Sequence, residues 1–112
     1  MKVNVLSPIL DYEDKPVKDR EGKEITCRNI IFVALSFINR DEVLTVEQKE
    51  KAHEILLKLY SSNEPDFTDT QRVFIKERAG KILSPLEYGR IKELFDENKT
   101  ELTEQVPTED NN

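Results

Sequence analysis

The stretch Glu77–Ser84, ERAGKILS, sets a Gly-Lys pair just ahead of a Ser, and so raises the question of a phosphate-binding loop. Such a loop needs Gly, four residues, Gly-Lys and then Ser or Thr at once, because successive backbone N–H groups must turn toward one anion. Here Ile75 stands where the first Gly belongs, and Ile82 follows Lys81. The segment also reads as helix, which spends those N–H groups internally. Gly80 is therefore expected to allow close packing or to loosen a helix near its end, and Ser84 to cap the next helix.

Other residue types that carry chemistry are sparse. His53 is the one histidine, and Glu50 is the only ligand-type side chain one turn from it. Zinc sites take three or four such ligands, so a half-exposed helix residue is the simpler reading. Cys27 lies near a helix start, where the dipole lowers a thiol pKa, but its only histidine base would be His53. A small buried or boundary residue is favoured. Asp11, Glu13 and Asp14 cluster in a turn without calcium-loop spacing. No catalytic, metal or cofactor-binding residue is assigned. The eight aromatics (Tyr12, Phe32, Phe37, Tyr60, Phe67, Phe74, Tyr88 and Phe95) are spread along the chain, mostly on expected helices, which favours core or interface over a base-stacking platform. One feature suggests a surface: Lys76, Arg78, Lys81, Arg90 and Lys92 form the larger of two local excesses of positive charge, interrupted by Glu77, Glu87 and Glu93.

The elements that must position these residues follow from pattern. Val3–Leu10 and Lys15–Lys18 read as the arms of a β-hairpin over residues 3–18, around the turn DYEDKP, with a short strand or extended lead near Glu24–Ile25. Two strands alone are marginal in water, so the hairpin must pack on helices. Thr26 is a natural N-cap for a helix over about 27–39, apolar on most sides and so central. Its β-branched residues leave a strand as the alternative, but 13 residues without a turn signal favour helix. Thr45-Val-Glu-Gln48 is a capping box before a helix over 46–60, with Ala52, Ile55, Leu56, Leu59 and Tyr60 as its apolar stripe. Thr68-Asp-Thr-Gln71 is a second, before 69–82, where Val73, Ile75, Ala79, Ile82 and Leu83 are candidate core. Ser84-Pro-Leu-Glu87 is a third, before 85–97, with Pro85 at N1 and Leu86, Ile91, Leu94 and Phe95 expected inside. The fold class is α+β and mainly helical: a hairpin packed on about four helices, one domain over 1–97, then a disordered acidic tail over 98–112.

Composition bounds the function. The chain has 112 residues, 37% hydrophobic and 36% charged. Its longest apolar run, Ile30–Leu35, is too short to cross a bilayer. The N-terminus lacks the long apolar core of a signal peptide, and one cysteine excludes an internal disulfide. A cytoplasmic protein is expected. Of 23 acids and 17 bases, six acids and one base lie in 96–112, leaving 17 and 16 for the rest. The net charge of -6 thus sits mostly in residues 96–112, and the near-neutral remainder gives no support to nucleic-acid binding.

The D-x-x-D-K-P turn, the later E-G-K-E-I-T, TVEQKEKAHEILLKL and the closing DTQRVFIKERAGKILSPLEYGRIKELF resemble small proteins of unassigned function encoded by tailed bacteriophages and prophages. The resemblance covers about residues 3–95 and is most specific over Ile75–Leu94. It implies no catalytic residues, and it places the chain in a host cell's cytoplasm. The expected function is non-enzymatic: protein–protein interaction through the apolar edge around the first helix and hairpin, as host-factor modulation or an assembly or chaperone role, or self-association as a homo-oligomer. The alternative is a nucleic-acid-associated factor using the basic residues of the last two helices.

Overall fold

The computed structural model describes residues 1–97; the expected tail over 98–112 lies outside them. Four helices run in order: α1 (Cys27–Ser36), α2 (Val46–Leu59), α3 (Asp69–Ile82) and α4 (Pro85–Glu97). α1 packs against each of the other three, as a helix apolar on most sides should. Its Ile30, Ile31, Ala34 and Leu35 join Ile55 and Leu59 of α2, Phe74, Ile75 and Ala79 of α3, and Ile91 and Phe95 of α4 in one core. Phe67, from the α2–α3 connection, is fully buried and meets the Phe95 ring edge-on at 6.3 Å.

Each helix begins on a reciprocal cap. The Thr45 and Thr68 hydroxyls accept from the backbone N–H of Gln48 and Gln71, whose side chains accept in turn from the cap N–H groups. Ser84 and Glu87 do the same at 3.3 Å, and Pro85 opens α4 where a missing N–H costs nothing. Thr26 also completes a box, with Asn29.

α1 stops at Ser36 rather than running to 39. Phe37 is already extended, at φ -85° and ψ 146°. The reason lies on α3. The buried Arg78 guanidinium donates to Ala34 O and, at 2.7 Å, to Phe37 O, so a side chain takes up carbonyls that another helical turn would have used.

The expected β-hairpin over 3–18 is not formed. Among the described residues there is no strand, only four isolated antiparallel bridges: Lys2 with Asp66, Pro8 with Thr26, Leu10 with Pro16, and Lys18 with Glu24. Val3 and Val5 turn away from the would-be partner arm and donate to Pro65 O and Asn63 O. Pro8 and Pro16 have no N–H to offer a ladder.

Two successive loops replace the hairpin, and they repeat every eight residues. In Asp11–Lys15 and in Asp19–Lys23, the aspartate Oδ1 accepts from the N–H groups two and four residues on, at 2.8 and 3.0 Å in both loops. The aspartate N–H then donates to the lysine carbonyl, at 2.7 Å in one loop and 2.8 Å in the other. The fourth residue is left-handed each time, Asp14 at φ 65° and Gly22 at φ 84°. The loops share one seam. Val17 N–H donates to Ile9 O, Ile25 N–H to Val17 O, and Ile9 N–H to Ile25 O, closing a ring of three hydrogen bonds at 2.8 to 2.9 Å.

Candidate interaction surface

Gly80 lies inside α3 and Ser84 caps α4, so ERAGKILS is a helix end and the next helix's start, with no N–H nest. A Cβ added at Gly80 would meet Tyr88 Cε1 at 3.7 Å, an ordinary contact. The close packing expected there is therefore absent, and the glycine is not required by any approach.

The five basic residues fall into three networks. Arg78 is 3% exposed and pairs with Glu42, which Lys81 also approaches at 3.8 Å. Lys76 and Lys92 converge on Asp96, at 3.5 and 2.9 Å. Arg90 stands apart and clasps the first loop, donating at 2.8 Å to both Leu10 O and Asp11 O, with its guanidinium 5.8 Å from the Tyr12 ring centre. The surface drawn from sequence thus divides into a buried hub (Arg78), a clasp (Arg90) and partly exposed lysines that each approach an acid.

Charge states follow from these contacts. The Arg78 side chain, then the Asn39 N–H, holds the Glu42 carboxyl below its usual range. The N–H groups of Lys15 and Glu13 do the same for Asp11. Asp96 is pushed up by burial, yet Lys92 and Lys76 outweigh this and leave it lowered. Burial pushes the Cys27 thiol up to about 11, which disfavours the thiolate that a nucleophile or metal ligand needs. His53 is exposed on α2. Among the described residues, no group of three or more His, Cys, Asp or Glu is placed to hold a metal ion, and no helix is long and apolar enough to cross a membrane.

Apolar residues do gather on the outside. Phe32 of α1 is 41% exposed and meets Tyr60, at the end of α2, edge-on at 6.4 Å. Tyr60 is 55% exposed, and Leu57, one turn earlier, 61%. Arg28 fixes the pair: its guanidinium lies 5.1 Å from the Tyr60 ring centre while donating to Leu59 O and Ser62 O. Beyond α1, Phe37, Ile38 and Val43 also face outward on the segment joining α2. That segment is pinned beneath by Arg78 and Glu42, and by Asn39, whose N–H donates to Glu42 at 3.1 Å.

Sequence reading sets Tyr60 on the core-facing stripe of α2 and leaves Phe32 and Phe37 as core or interface; all three lie outside the core. An α1 apolar on every side gives no phase from which to tell its open face. No family model, no curated protein and no solved structure matches the chain.

Proposed function

We propose that this protein acts by binding another protein, without chemistry of its own, through the surface formed by Phe32, Leu57 and Tyr60 and the neighbouring Phe37–Val43 segment. One observation carries the reading: an exposed aromatic pair is held in place by Arg28 before any partner arrives. Aromatic anchors already fixed in position lose little freedom on binding, so more of their burial is left as affinity. With the resemblance to phage and prophage proteins, this suggests a factor that modulates a host protein or serves as an assembly component or chaperone, in the host cytoplasm. A second copy of the chain is a partner of the same kind, and a homo-oligomer is the form that needs no other component.

The test is light scattering on the purified chain together with capture of host proteins. Self-association gives a mass above the monomer, and Phe32→Glu with Tyr60→Glu returns it to the monomer with helical circular dichroism unchanged. Binding to a host protein gives a captured band that the same variant loses. A monomer that captures nothing overturns the proposal. A salt-sensitive shift of nucleic acid, abolished by Lys81→Glu and Lys92→Glu, would establish the alternative instead.

A further inference from the structure

No further inference is drawn: the strongest candidate, the exposed apolar face where Phe32 of α1 meets Tyr60 and Leu57 of α2, already belongs to the surface proposed above, and nothing in the structure shows what covers it.

Discussion

Arg78 ties three parts of the chain with one side chain. It sits on α3, donates to the end of α1 through Ala34 O and Phe37 O, and pairs with Glu42 of the following segment. A cation this deeply buried is tolerated because each direction of the guanidinium fork finds an acceptor. Arg78→Met keeps the stem and removes the fork, leaving two carbonyls without their side-chain donor and Glu42 with only the Asn39 N–H and the more distant Lys81. Leaving buried polar groups without a hydrogen-bond partner costs about 1–3 kcal/mol. Urea unfolding should show that loss, and Arg78→Lys should recover little, since one ammonium cannot span the three acceptors. A loss below about 1 kcal/mol would mean the pair is no stronger than a surface ion pair, and that the hub is misread. Sequence reading puts this residue on a charged surface and misses its burial, for a physical reason. The buried face of α3 is Phe74, Ile75, Arg78 and Ala79, two i,i+4 pairs side by side. A charged residue inside that stripe breaks the apolar pattern, so the reading favoured Val73, which is exposed. Gly80 offers a gain on the same helix. With only an ordinary contact waiting for a methyl, Gly80→Ala should stabilise by about 0.5–1 kcal/mol, the difference between glycine and alanine inside a helix. A destabilised variant in thermal melts would show that the position needs glycine after all.

At the scale of elements, the helices were legible because their starts are written in local chemistry. Thr45 with Gln48, Thr68 with Gln71, and Ser84 with Glu87 each satisfy orphan N–H groups within four residues, whatever the tertiary context. The hairpin was not legible, since Val3 and Val5 find their partners some 60 residues away, at Pro65 and Asn63. Yet a signal for the true arrangement was present. Asp11, Glu13 and Lys15 recur as Asp19, Glu21 and Lys23, with Ile9, Val17 and Ile25 at the same period of eight. The period marks two turns of one design, each wrapped around an aspartate oxygen. The design places the fourth residue in the left-handed region, where the two loops differ: Asp14 in one, Gly22 in the other. Gly22→Ala should cost about 1–2 kcal/mol through backbone strain alone, because nothing lies within 4 Å of the added Cβ. Asp14→Gly should gain less than that, because Asp tolerates this conformation and glycine loosens the unfolded chain. Chemical denaturation of both variants checks the asymmetry. A Gly22→Ala variant as stable as the parent would remove the left-handed requirement from the design.

Over the whole molecule, carboxylates join elements that are distant in sequence, and this sets the response to acid. Glu42 answers Arg78 of α3, Asp66 answers the Met1 ammonium, Asp96 joins Lys76 of α3 to Lys92 of α4, and Asp11 closes the first loop beside Arg90. All four carboxyl groups are lowered. For Asp66 the hydrogen bond from the Met1 ammonium is the main cause; for Glu42 it is the Arg78 side chain. A carboxylate with a folded pKa below its unfolded one adds stability above the unfolded value and gives it up as pH falls through the folded one. Unfolded carboxyls titrate at roughly 3.9 for Asp and 4.3 for Glu, so the loss belongs below about pH 4.5 and deepens toward pH 2. The melting temperature followed by circular dichroism should therefore hold between pH 7 and pH 5 and then fall steeply. Glu42→Gln should start lower at pH 7 and fall less on acidification, because one of the lowered groups no longer titrates. A melting temperature that is level down to pH 2.5 would mean that these contacts do not favour the ionised carboxylates. A drop already present between pH 7 and pH 5 would lie above the carboxyl range and would count against these carboxylates as its cause.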